Sequence, residues 1–97
     1  MVIRVITYHA LPDRDVAGWM RNVAPKLRDV PGMRAVEFAQ SHGDPFQYGA
    51  VMHFGAQEDL DTYRATGPYQ NIVESMRAAW LDESKPVHDQ ILEVLDI

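Results

Sequence analysis

The sequence predicts an α+β fold of element order β-α-β-β-α-β, an antiparallel sheet with helices on one face. Three observations predict it. Short runs rich in β-branched residues alternate with stretches whose apolar residues recur three and four apart. Turn chemistry separates them at Leu11-Pro12-Asp13, Pro31-Gly32, Ser41-His42-Gly43-Asp44-Pro45 and Gly67-Pro68. The length, 97 residues, suits one domain whose single core hides roughly two-thirds of the unfolded surface. By the rules of layer packing this is a ferredoxin-like split βαβ arrangement.

Taken in order, Val2 to Ala10 reads as the first strand, with Val2, Ile3, Val5, Ile6 and Tyr8 as β-formers. From about Asp15 to Val30, the residues Val16, Trp19, Met20, Val23, Leu27 and Val30 trace one helical face, with Asp13 or Asp15 as N-cap. Pro25 removes a backbone donor inside that pattern, which predicts a kink or split near Arg21. Met33 to about Ala39 and Tyr48 to Phe54 form a hairpin around the polar turn. A second helix, from about Gln57 to Ala65, breaks at Gly67-Pro68 and resumes with Tyr69, Ile72, Val73, Met76 and Trp80 on one face. Asp82-Glu83-Ser84-Lys85-Pro86 is a polar connector, and Gln90 to Leu95 reads as the last strand.

Composition narrows the function classes. A hydrophobic fraction of 46% and a charged fraction of 24% exclude intrinsic disorder. No apolar run approaches the roughly 18 residues of a membrane span, and the opening Met-Val-Ile-Arg-Val-Ile is too short and mixed for a signal peptide. With no cysteine there is no disulfide framework and no thiolate chemistry, which points to a reducing, cytoplasmic setting. Nine basic residues against fourteen acidic give a net charge of −5. The basic residues are scattered singly, so a nucleic-acid partner is not expected.

The expected partners are a small molecule and a second copy of the chain. Ile3, Val5, Thr7 and His9 alternate onto one side of the first strand; Arg4, Ile6, Tyr8 and Ala10 take the other. Both sides carry apolar residues, yet helices cover only one. The uncovered face predicts a homodimer that stacks two sheets.

The order of elements, together with certain residues, resembles the dimeric α+β barrel superfamily, and within it the antibiotic biosynthesis monooxygenase family. The likeness is carried by Leu11-Pro12-Asp13, Val30-Pro31-Gly32-Met33, Asp44-Pro45-Phe46, Phe54, Glu58-Asp59-Leu60-Asp61-Thr62-Tyr63 and Tyr69. The tail Asp82-Glu83-Ser84-Lys85-Pro86 is similar to haem-degrading relatives. The resemblance implies a pocket between sheet and helices. It also implies a planar polyphenol, deprotonated and oxygenated with no cofactor, and catalytic roles for Tyr63 and Tyr69. Tyr63 would replace an indole N–H with a phenol O–H, and either donates to a developing oxyanion. A polyketide cyclase of this fold would place histidines where Tyr48 and Tyr69 stand. A haem-degrading enzyme would need a histidine at Val73 and an asparagine at Ile6.

Independently of any family, Tyr8 and Tyr48 fall on the helix side, where Tyr63 and Tyr69 can join them. Four phenols around an apolar cleft suit a hydroxylated aromatic ligand. They equally suit hydroxyls that cap the core in water, and a one-residue register slip turns Tyr8 or Tyr48 away. Trp80 shares a face with Tyr69 and joins the expected substrate-binding set. Trp19 and the methionines Met20, Met33, Met52 and Met76 read as core. Arg4, on the Tyr8 face, either meets an anionic ligand or forms a strand-end salt bridge. His9 and His53 belong to the opposite face, His42 to the hairpin loop, and no His spacing suits a metal. The expectation is a small-molecule pocket protein, a cofactor-independent monooxygenase of a phenol. The alternatives are a non-catalytic ligand-binding or stress-response module and a cyclase.

Overall fold

The computed structural model describes residues 1–97. Its elements are β1 (Val2–His9), α1 (Val16–Arg28), β2 (Met33–Gln40), β3 (Gln47–Phe54), α2 (Gln57–Arg64), α3 (Gly67–Ala79) and β4 (His88–Glu93). The strands form one antiparallel sheet in the order β2-β3-β1-β4. This is the ferredoxin-like topology expected, with the broken second helix resolved into α2 and α3.

Side-chain alternation decides the two faces. Val2, Arg4 and Ile6 of β1 are buried beneath the helices, and so are Ala50, Met52 and Phe54 of β3. The register pairs Tyr8 with Tyr48 and Arg4 with Met52, so all four lie on that face. A bulge between Met33 and Ala35 shifts β2 by one residue. It puts Met33 and Val36 on the buried side together, where strict alternation would separate them.

Local chemistry explains the helices. The Asp15 carboxylate accepts the Gly18 N–H at 2.9 Å and caps α1, while Lys26 and Arg28 complement its C-terminal dipole. The expected break near Arg21 does not occur, and α1 is one helix with Pro25 inside it. Pro25 and Arg21 both lie on the exposed side, where solvent satisfies the Arg21 carbonyl that loses its partner. Between α2 and α3 the Thr66 hydroxyl donates to the Tyr63 carbonyl at 2.7 Å, and Pro68 sits in the first turn of α3. Gly32, at φ 85°, turns the chain into β2 with Asp59 packed against it.

Two boundaries differ from the sequence reading. Ala10 leaves β1 and makes a lone bridge to Leu81. The last strand begins and ends two residues earlier than Gln90 to Leu95, because β1 runs out of partners at Val2, which pairs with Glu93. Leu95 and Ile97 therefore extend past the sheet, exposed.

The core comes in two clusters. Ile6, Val23, Leu27, Phe54, Leu60 and Tyr63 belong to one, and Ala10, Val16, Met76, Trp80 and Leu81 to the other. Tyr8 and Trp19 pack against both. The other sheet face has no cover within the chain: Ile3, Val5, Val51 and His53 are half-buried there, and Leu92 is exposed. No helix is long and apolar enough to cross a membrane.

Candidate functional site

Where the two core clusters meet, packing leaves an apolar cavity of about 40 Å³, lined by the sheet, α1, α2 and α3. All six residues expected at a site line it: Arg4, Tyr8, Tyr48, Tyr63, Tyr69 and Trp80. The register expected for β1 and β3 holds, so Tyr8 and Tyr48 face the helices. Tyr63 ends up fully buried rather than capping the core at its edge.

Two groupings divide the lining. At one, Tyr63 of α2 and Tyr69 of α3 meet edge to face, their ring centroids 5.2 Å apart, and Phe54 backs Tyr63 at 5.9 Å. The Arg4 guanidinium stands 5.8 Å from the Tyr69 ring centre, a cation–π contact. At the other, Trp80 is surrounded by Trp19, Tyr48 and Tyr8 at 5.4, 6.0 and 6.1 Å, all edge to face. The Trp80 indole N–H is buried with no hydrogen-bond partner in the chain. Tyr48 is the one tyrosine whose hydroxyl is engaged, accepting from Gln40 Nε2 at 3.2 Å.

Electrostatics make the phenols donors. Burial pushes the Tyr8 and Tyr63 hydroxyls up to about 12, against the opposing pull of Arg4. Both stay protonated at neutral pH, so they can donate to an oxyanion but cannot take a proton from a substrate.

The salt bridge expected of Arg4 is present, and its partner is Asp89 at the start of β4. Arg4 itself sits mid-strand, buried, and makes a two-pronged contact with Asp89, through Nε at 3.1 Å and Nη2 at 2.8 Å. Asp89 also accepts from Arg64 Nη2 at 2.9 Å. Burial alone would lower the Arg4 pKa, but the hydrogen bond and charge of Asp89 outweigh it and the guanidinium is held above its ordinary value. Burial likewise works against the Asp89 charge, and Arg4 followed by Arg64 more than reverses it, holding the carboxyl below its usual range.

An open groove of about 670 Å³ runs between α1 and the start of α3. Ile72 lines both the groove and the cavity. Beside it Trp19 Nε1 donates to Ser75 Oγ at 2.7 Å and closes the α1–α3 seam. Ile72 and the Trp19–Ser75 hydrogen bond thus lie between the two spaces.

Sequence reasoning missed several lining residues. Trp19, Met20, Met52 and Met76, read as core filling, all line the cavity, while Met33 does not. Their helical stripe looks the same whether it meets a filled core or a hollow one. Asp89 and Arg64 were overlooked because only the β1–β4 register brings them to Arg4: Ile6 pairs with Asp89, placing that carboxylate diagonally across from Arg4. The histidines fall where expected, on the opposite face, His9 beside Asp44 at 3.5 Å and His53 beside Glu37 at 3.3 Å. No cluster of His, Asp or Glu has the make-up of a metal site. Val73 and Ile6, where a haem-degrading enzyme of this fold is expected to need histidine and asparagine, are cavity wall.

Sheet order, helix placement and the aromatic cavity between sheet and helices together define a ferredoxin-like α+β protein. Solved structures share this fold over essentially the whole chain. A candidate antibiotic biosynthesis monooxygenase from Deinococcus radiodurans superposes with a TM-score of 0.83 at 13% identity, covering 100% of this chain and 95% of that one. A second protein, described as an antibiotic biosynthesis monooxygenase, gives 0.81 at 16% identity, covering 99% and 100%. A candidate of the same kind from Nitrosomonas europaea gives 0.79 at 16%, again covering 99% and 100%. No family model and no curated protein matches the sequence. At these identities the likeness establishes the fold, that of the antibiotic biosynthesis monooxygenase-type structures.

Proposed function

We propose that this chain binds a flat, hydroxylated, polyketide-like aromatic molecule in the cavity and oxygenates it without a cofactor. One observation carries the reading. An otherwise apolar hollow is lined by the four tyrosines Tyr8, Tyr48, Tyr63 and Tyr69, by Trp80 and by a single arginine, Arg4. Rings of Trp19, Trp80 and Tyr69 supply stacking surface, and the hydroxyls of Tyr63 and Tyr69 hold the substrate's oxygens.

The reaction balances without an external reductant. An anthrone-type methylene between two rings loses a proton to solvent water before the molecule settles in the pocket, giving an enolate whose electrons reduce dioxygen. One oxygen atom becomes the new carbonyl, and the other leaves as water with both methylene hydrogens. The pocket's part is to stabilise the oxyanion from which electrons leave, with Tyr63 and Tyr69 as donors.

The cavity has to open to hold such a ligand. About 40 Å³ admits a few waters, at roughly 10–15 Å³ each, whereas small-molecule sites start at about 300 Å³. The groove beyond Ile72 is the natural way in. The uncovered sheet face, with Ile3, Val5, Val51 and Leu92, supports a homodimer in which two sheets stack. A cysteine-free chain agrees with work in the cytoplasm.

The experiment is oxygen uptake with an anthrone-type substrate. Uptake that falls about 100-fold or more in Tyr63→Phe or Tyr69→Phe supports the oxygenase, on the scale of removing one oxyanion donor. Tight binding with no uptake across a panel of phenols overturns it in favour of a ligand-binding module. The lack of a lining group that is basic at neutral pH is the observation favouring that second reading.

A further inference from the structure

The cavity has a charge that its apolar walls do not need. Arg4, with its side chain 4% exposed, is matched by Asp89, but Asp89 is shared with Arg64, so the trio carries one uncompensated positive charge. Arg64 is about one-third exposed at 33% and forms the outer end of the chain of contacts, while Arg4 forms the inner end against Tyr69. Two of the three guanidinium nitrogens of Arg4 are committed to Asp89, and Nη1 makes no hydrogen bond within the chain. The remaining titratable groups facing this cluster are Tyr8, Tyr63 and Tyr69, all neutral donors when protonated.

Burying a guanidinium is costly, and a well-packed apolar side chain in its place is often neutral or stabilising. A buried arginine kept in a hollow, with one nitrogen free and a net positive surrounding, is arranged for a negative guest. The lining offers no His, Asp, Glu or Lys to take a proton from that guest, so the guest sheds it before it settles.

We propose that the pocket selects its aromatic ligand as an oxyanion, held by Arg4 and the phenol hydroxyls, with Arg64 supplying the charge that Asp89 would otherwise cancel. This rests on the pocket being a site for aromatic molecules and deepens that reading by naming the ligand's charge state. The ligand class is a flat aromatic monoanion, an acidic phenol already ionised or an aromatic carboxylate. Asp89 acts as a positioning residue: it fixes Arg4 in plane and ties it to Arg64.

The probe is 4-nitrophenol, whose neutral and ionised forms absorb at different wavelengths. Titrated into the full chain, the phenolate is expected to bind at least about tenfold more tightly than the phenol, which lowers the apparent pKa of the bound probe by about one unit. Arg64→Gln, on a partly exposed side chain, is expected to cut that preference severalfold while the chain stays folded, with the melting temperature lowered by only a few degrees. Displacement of the probe by benzoate extends the class to carboxylates; no displacement confines it to phenolates. Equal binding of both forms, or a preference untouched in Arg64→Gln, overturns the proposal while leaving an aromatic pocket standing. Failure of either form to bind overturns the pocket itself.

Discussion

Tyr63 and Tyr69 sit on different helices and meet edge to face at 5.2 Å, because α2 ends at Arg64 and α3 restarts at Gly67. One continuous helix would set residues six apart about 120° from each other around its axis. The break is what brings both rings over the sheet. Tyr63→Phe keeps the ring and its contacts, so its melting temperature should stay within a few degrees of wild type, while ligand affinity falls. Tyr63→Ala should cost about 3–5 kcal/mol, as for other buried aromatics. Denaturant melts of the two variants check the contrast.

The Arg4–Asp89 pair should respond asymmetrically to truncation. Asp89→Ala leaves a buried guanidinium unmatched, a loss of about 3–5 kcal/mol. Arg4→Met leaves Asp89 with Arg64 and with solvent, since its side chain is 29% exposed, and should cost clearly less. Urea unfolding of both variants measures the difference; equal losses would mean that Arg64 does not support Asp89.

Stability should bend at both ends of the pH scale. The Asp89 carboxyl is held below its ordinary 3.8 by Arg4 and Arg64 despite burial. Its contribution is complete above that ordinary value and lost as pH falls through the lower native one. Tyr8 and Tyr63 behave oppositely. Burial raises them from 10 to about 12, so their contribution is full below pH 10 and fades as pH climbs through about 12. Melts across pH should show Asp89→Asn flattening the acid limb, and Tyr63→Phe flattening the alkaline limb.

Removing the Trp19–Ser75 hydrogen bond should loosen the entrance rather than the core. Ser75→Ala is expected to cost about 0.5–1.5 kcal/mol and to speed ligand association in stopped-flow fluorescence, with a smaller change in dissociation constant. An unchanged association rate would direct entry elsewhere.

The outer sheet face carries its own prediction. Val5 and Val51 pair directly across β1 and β3 on that face. Val5→Lys should shift sedimentation from dimer to monomer, while the internal cavity keeps its ligand. A wild-type chain that sediments as a monomer would remove the stacked-sheet dimer.

Much of the fold was legible because burial in a two-layer protein is written as alternation and helical spacing. β1 alternates so clearly that Arg4, Ile6 and Tyr8 were placed on the helix side from sequence. Tertiary context settled the rest. Pro25 leaves α1 whole because its face is wet, and β4 is registered by where β1 starts rather than by its own apolar run. At the site, the tyrosines were readable as residue types on known faces. The Arg4–Asp89–Arg64 contacts were not, since strand pairing between residues 85 apart has no local signal. A cavity leaves no trace in sequence either: Met52 and Met76 pack the same pattern with or without space beside them.

The most direct test of the site is the indole N–H resonance of Trp80 during titration with a hydroxylated naphthalene. That proton is buried without a partner in the chain. It should shift in step with the aromatic resonances of Tyr63 and Tyr69, saturably and at one stoichiometric site. Shifts confined to His9, His53 and their neighbours on the opposite sheet face, with Trp80 unmoved, would contradict a site in this cavity.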